Sequence, residues 1–286
     1  MTFTTLISAE TLIGLHTPVV VIDCRHDLTD TDAGRRAYAN SHILGAHFLH
    51  LDDDLSGSKT AADGSFRGRH PLPEPTNFIH TLQRLGIDND TQVIAYDTHG
   101  GMFAARLWWM LRWVGHAAVA VLDGGLPAWT AAGGALSASP VAAAASSGHI
   151  SLRPSLVRTV NVNELVANLE TPTLHVIDAR APDRFRGENE TLDRVGGHIP
   201  GAANRLFKNN LQPDGHFKSA ELLRTEFAAL VDDPSITVMQ CGSGVTACHH
   251  LLALEIIGRP GALLYPGSWS EWSSDAARPI AVGDAD

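Results

Sequence analysis

Short apolar runs alternate with longer mixed segments along the whole chain. Pro18 to Asp23 reads PVVVID, a β-branched run of the kind that forms a buried parallel strand. Gln92 to Asp97 (QVIAYD), Leu174 to Asp178 (LHVID) and the run Ile236 to Met239 ahead of Cys241 share that pattern. Helical spacing fills the intervals. Trp108, Trp109 and Trp113 fall at helix-compatible positions, which assigns them to core or domain-interface packing and not to a cofactor box. Strand and helix in alternation predict α/β architecture with a mainly parallel sheet.

The pattern occurs twice. Asp23 with Arg25 two residues on is answered by Asp178 with Arg180, and His42-Ile43-Leu44-Gly45-Ala46 by His198-Ile199-Pro200-Gly201-Ala202. QVIAYD with its glycine pair and helix matches the strand–Cys241–helix unit, and LDGGLPAW from Leu122 matches YPGSWSEW from Tyr265. Four elements recurring in the same order mark a duplicated domain, not a short solenoid period. The predicted domains are residues 1–140 and 156–286. Between them Gly133 to Pro154 is small, polar and turn-rich.

Composition narrows the class. Of 286 residues, 44% are hydrophobic, and 21 basic against 31 acidic side chains leave a net charge of −10, which argues against a nucleic-acid partner. No apolar run approaches the 18 or so residues of a membrane span. The first residues lack the basic and apolar regions of a secretory signal, and Ser8 reads as the cap of a first helix. A cytoplasmic protein is expected. Cys24, Cys241 and Cys248 have the spacing of neither a disulfide framework nor a zinc site. The adjacent His249 and His250 point to different sides of a helix, so no metal is expected.

The candidate chemistry lies in TVMQCGSGVTACHH, Thr237 to His250. Cys241 ends a strand, Gly242-Ser243-Gly244 makes a turn, and a helix begins near Val245 or Thr246. The unpaired N–H groups and dipole of that helix favour thiolate over thiol. The glycines let successive N–H groups converge into an anion nest. The first half carries Asp97 where the second has Cys241. A carboxylate cannot replace an activated thiol, so that half is expected to be catalytically silent.

The loop CGSGVT, from Cys241 to Thr246, resembles the active-site loop of rhodanese-type sulfurtransferases, in the version found in 3-mercaptopyruvate sulfurtransferases. HIPGA and YPGSWSEW are further signatures, so the resemblance covers nearly the whole chain and implies two tandem rhodanese-like domains. It implies that Cys241 takes sulfur from 3-mercaptopyruvate as a persulfide and gives it to a thiol such as thioredoxin, or to cyanide, without a cofactor. Gly242, Gly244, Val245 and Thr246 would cradle the substrate. Arg180 and Arg186, in DARAPDRFRGE, would bind its carboxylate and keto oxygens. Ser243 would polarise it, aligned with His70 and Asp52 from the first domain; Asp53 or Asp54 is an alternative to Asp52.

Three rival activities are weighed by the same loop. Thiosulfate as main donor would be helped by loop cations, which Gly242 and Ser243 do not supply. A cysteine phosphatase needs Arg six positions after the cysteine, where this chain has Ala247. A persulfide carrier would load sulfur without turnover.

Overall fold

The computed structural model describes residues 2–139, 141 and 146–284, and the chain divides into two compact units. The first comprises Met1–Gly57, Pro73–Leu156 and Gln212–Phe217; the second comprises Ser58–Leu72, Val157–Leu211 and Lys218–Asp286. The main division falls at 156/157, so the stretch Gly133 to Pro154 runs with the first unit; its positions 140 and 142–145 lie outside the described residues. The contiguous domains 1–140 and 156–286 do not capture two short exchanges. Ser58–Leu72 packs with the second unit and Gln212–Phe217 with the first.

Each unit is built on one five-stranded parallel sheet. In the first the order is Leu6–Ile7, Val119–Leu122, Gln92–Tyr96, Val19–Asp23, His47–Phe48. In the second it is Ala203–Asn204, His175–Asp178, Thr237–Gln240, Leu263–Leu264, Arg158–Thr159. The central pairs place Asp23 beside Tyr96 and Asp178 beside Gln240. Most valines and isoleucines in these strands are buried, as a parallel sheet flanked by helices requires, while Val19, Val20 and Val21 are half-buried. Ile94, Tyr96, Leu122 and Trp129 anchor one core; Val176, Val238, Trp269 and Trp272 anchor the other. Trp108 and Trp109 are buried in the first unit, where the Trp108 indole N–H donates to Thr4 O.

Local signals explain the element ends. The Ser8 hydroxyl accepts from Thr11 N–H at the start of Ala9–Ile13. Asn161 and Glu164 form a reciprocal capping box on Val162–Glu170. The repeated Asp-x-Arg is a strand-end clamp in both units. Arg25 grips the Asp23 carboxylate and donates to Ser41 O; Arg180 grips Asp178 and donates to Gly197 O at 2.6 Å. The repeated histidines also match: His42 bonds Tyr38 O and stacks on Tyr38, and His198 bonds Phe185 O and stacks on Phe185.

Candidate active site

Cys241 follows the strand Thr237–Gln240, and Thr246 caps the helix Ala247–Ile256 that leaves the loop. The thiol is buried at the floor of this loop. The segment from Tyr265 clamps the loop backbone. Cys241 N–H donates to Ser268 Oγ, while Trp269 N–H and Ser270 N–H donate to the carbonyls of Cys241 and Gly242, at 3.0 and 2.9 Å. Ser268 adopts φ 53°, and among the described residues no other non-glycine has positive φ. Such strain persists where the surroundings over-determine it. Here the Ser268 hydroxyl donates to Tyr265 O and accepts from Cys241 N–H.

The two loop glycines stand in different surroundings. Gly244 has φ +75°, and a Cβ there would meet Pro266 O at 2.4 Å. At Gly242 a side chain would instead meet the flexible ends of two arginines, which would have to shift to admit it. A Cβ would lie 2.7 Å from Arg69 Nη2 and 3.5 Å from Arg184 Nη2.

Ser243 and His70 are brought together. Both are buried, and Ser243 Oγ lies 2.7 Å from His70 Nδ1. His70 comes with the second unit, not the first, because Ser58–Leu72 packs there. Arg69 N–H donates to Ser270 Oγ at 2.9 Å, and the Cα of Gly68, at φ +96°, lies so near Gly267 O that a Cβ would meet it at 2.7 Å.

Asp52 belongs to the first unit, where its carboxylate lies 3.8 Å from His26 Nε2. Its two neighbours are engaged elsewhere: Asp53 pairs with Arg35, and Asp54 accepts from His50 N–H.

The arginines differ from expectation. Arg180 is almost wholly buried; Asp178, Gly197 O and Glu190 take up its guanidinium, which lies over the Trp269 ring. Arg186 pairs with Glu188 at 2.7 Å on the exposed side of Pro182–Arg186. Neither supplies the guanidinium groups beside Gly242. Those belong to Arg69 and Arg184, which the sequence reading missed. Arg184 is held by Glu190 at 2.8 Å and Asp193 at 3.3 Å, and Arg69 by Asp193 at 3.0 Å. Burial pushes the Glu190 carboxyl up, but Arg184 and two backbone N–H groups more than reverse this and leave it below the usual range. For Asp193 burial prevails over the arginines and leaves the carboxyl raised.

The corresponding loop of the first unit holds an anion of its own. The Asp97 carboxylate is fully buried and accepts four backbone N–H groups. His99 and Gly101 donate to Oδ1 at 2.7 and 2.9 Å, Phe103 and Ala104 to Oδ2 at 2.8 and 2.9 Å. The nest expected of the repeated turn is therefore formed, and a side chain fills it. Elsewhere on the second helix, Cys248 is packed with Sγ 3.4 Å from Gly244 O. Asn210 Nδ2 donates to Nδ1 of both His249 and His250.

The rhodanese-like domain model matches residues 8–132 and 161–275. A Pseudomonas aeruginosa protein named "Probable 3-mercaptopyruvate sulfurtransferase" is 45% identical over 276 residues, 93% of either chain. The thiosulfate sulfurtransferase of Bos taurus is 35% identical over 88% of this chain and 84% of its own. The solved 3-mercaptopyruvate sulfurtransferase from Leishmania major superposes with a TM-score of 0.85 at 30% identity, covering 97% of this chain and 76% of that one. Two matched halves, each with its own parallel sheet and strand-end loop, make this chain a member of the rhodanese-like family.

Proposed function

We propose that the chain is a 3-mercaptopyruvate sulfurtransferase working by double displacement through Cys241. The observation that carries this is the Ser243–His70 hydrogen bond, 2.7 Å long, set inside the loop of a strand-end cysteine. The Cys241 thiolate attacks the donor's sulfur, and a Cys241–sulfur bond forms. The donor's carbon–sulfur bond breaks, its electron pair goes to carbon, and the thiol proton ends there to give pyruvate. A persulfide stays on Cys241. An acceptor thiolate, thioredoxin or cyanide then takes the outer sulfur and returns Cys241 as thiolate.

With His70 Nδ1 protonated and donating to Ser243 Oγ, the serine hydroxyl keeps its own proton for the donor's keto oxygen. That is where negative charge gathers as the carbon–sulfur bond breaks. By the repeat, the N–H groups matching the four on Asp97 are those of Ser243, Val245, Ala247 and Cys248, of which the last donates instead to Val245 O; with the turn of Gly242, Gly244 and Thr246 the other three would face the persulfide anion. Arg184 is the reading's cation for the donor carboxylate, in place of Arg180 and Arg186. Asp52 keeps the orienting role that the resemblance gives it, and its check is an Asp52→Asn variant with lowered kcat and little change in KM.

The test is intact-protein mass spectrometry after incubation with 3-mercaptopyruvate, together with pyruvate release in the presence of cyanide. Wild type should gain about 32 Da, roughly one sulfur atom held as a covalent intermediate. Cys241→Ser should neither gain it nor turn over, whereas Cys24→Ser and Cys248→Ser should do both. Turnover by Cys241→Ser refutes the reading. Sulfur loading by wild type with no pyruvate beyond one equivalent would make the chain a persulfide carrier.

A further inference from the structure

Residues 69 and 70 address residues 242 and 243 in step. His70 reaches the Ser243 hydroxyl, and Arg69 stands over the Cα of Gly242. Ser270 keeps the register, since its hydroxyl accepts Arg69 N–H while its N–H donates to Gly242 O, each at 2.9 Å. The Arg69 side chain is 21% exposed, and its partner Asp193 only 4%. The guanidinium is therefore gripped at Nη1 from the protein side, with Nη2 presented at the loop. Its place is the one a side chain at 242 would need.

We propose that Arg69 anchors the anionic end of the sulfur donor and sets donor preference, supplying from outside the loop the cation that residue 242 lacks. This rests on the sulfur-transfer reading of the same site. Arg69 and Gly242 then form a complementary pair, one large and cationic, the other without a side chain. A cation lost from the site weakens a dianion such as thiosulfate more than a monoanionic carboxylate, because the interaction scales with ligand charge. Lys in place of Arg69 would keep the charge but not the planar fork.

The experiment uses the full chain in four forms: wild type, Arg69→Ala, Gly242→Arg and the double variant, with Arg69→Lys added. Kinetics are measured for thiosulfate and 3-mercaptopyruvate with cyanide as acceptor. Loss of a charge-assisted hydrogen bond predicts a KM for thiosulfate raised about ten- to a hundred-fold in Arg69→Ala. The rise for mercaptopyruvate should be smaller, and Arg69→Lys should fall between. Gly242→Arg alone should impair both donors, because its side chain meets the Arg69 guanidinium. In the Arg69→Ala background the same substitution should recover thiosulfate use. An unchanged KM for both donors in Arg69→Ala, or a Gly242→Arg effect that is the same with and without Arg69, overturns the proposal.

Calorimetric titration of thiosulfate into the unreactive Cys241→Ser protein separates this from failure of the reaction itself. Binding weakened about tenfold or more by Arg69→Ala supports the anchor even if wild type shows no turnover. Binding that is undetectable, or equal in both, rejects it.

Discussion

Replacing Asp97 by Asn removes one charge from the first unit and changes almost nothing in shape. The carboxylate accepts two N–H groups on each oxygen. The amide retains one acceptor oxygen and turns an NH2 group toward two N–H donors. Two buried donors are orphaned, at about 1–3 kcal/mol each, so the unit should lose about 2–6 kcal/mol. For a unit of this size about 1 kcal/mol lowers Tm by 2–4 °C, so the fall should be roughly 4–24 °C. Scanning calorimetry reads this, with urea titration as a check on the free energy. Below the new Tm, sulfur transfer should stay within about twofold of wild type, since Cys241, Ser243, His70 and Arg184 belong to the other unit, and Asp52 lies against His26 whereas Asp97 bonds the N–H groups of its own loop. A loss under about 1 kcal/mol would refute the claim that the carboxylate holds the loop. A well-folded Asp97→Asn protein that cannot load Cys241 would refute the silence of the first half.

Three further outcomes follow from particular contacts. Arg180→Ala should cost about 3–5 kcal/mol in urea unfolding, because it strands the buried Asp178 carboxylate, and Arg25→Ala should act likewise through Asp23; Arg186→Ala should leave stability and KM within error. Burial holds His250 neutral with its pKa lowered to about 3, its Nε2 bonding Arg205 O and its Nδ1 accepting from Asn210. A depressed folded pKa means stability is full above the unfolded value of about 6.5 and is lost as pH falls toward 3, by about 1.4 kcal/mol per unit. His250→Gln should flatten stability against pH in that window by about one proton; an unchanged slope would rule this histidine out. A fragment 157–286 should show no sulfur transfer even if soluble, because it lacks Arg69 and His70, and adding a peptide spanning 58–72 should restore some; wild-type turnover by the fragment alone would contradict the shared segment.

Much of this was legible in the residues. Apolar runs ending in Asp marked the central strands because parallel sheets bury both faces, and the repeat located the loop twice. The nest around Asp97 forms on a glycine-containing strand-to-helix turn at the place that Cys241 holds in the other half, though the two turn sequences differ. Arg180 and Arg186 are placed differently from expectation, for two physical reasons. Asp-x-Arg occurs in both halves, the silent one included, which speaks for a clamp at a strand end and not for a substrate site. DARAPDRFR reads as a loop, yet Pro182–Arg186 is helical, and residues two apart on a helix point about 200° from one another. Arg184 therefore lies beside Gly242 while Arg186 turns to Glu188. The expectation that His70 belongs with the first domain takes position in the chain for position in the fold, and Arg69, beside it, carries no motif of its own. Contacts between residues some 170 to 200 positions apart leave no local pattern.

The exchange of Ser58–Leu72 and Gln212–Phe217 also bears on how the protein can be cut. The chain passes from one unit to the other at residues 57/58, 72/73, 156/157, 211/212 and 217/218. A protease that nicks the small, polar stretch between Gly133 and Pro154 would sever a connection lying within the first unit's own run, with all five passages intact. The two products would stay interleaved, each contributing chain to the first unit, and would migrate as one particle until denatured. Duplicated halves usually invite separation into independent modules. Here, a gene truncated at the obvious seam would inherit neither unit whole.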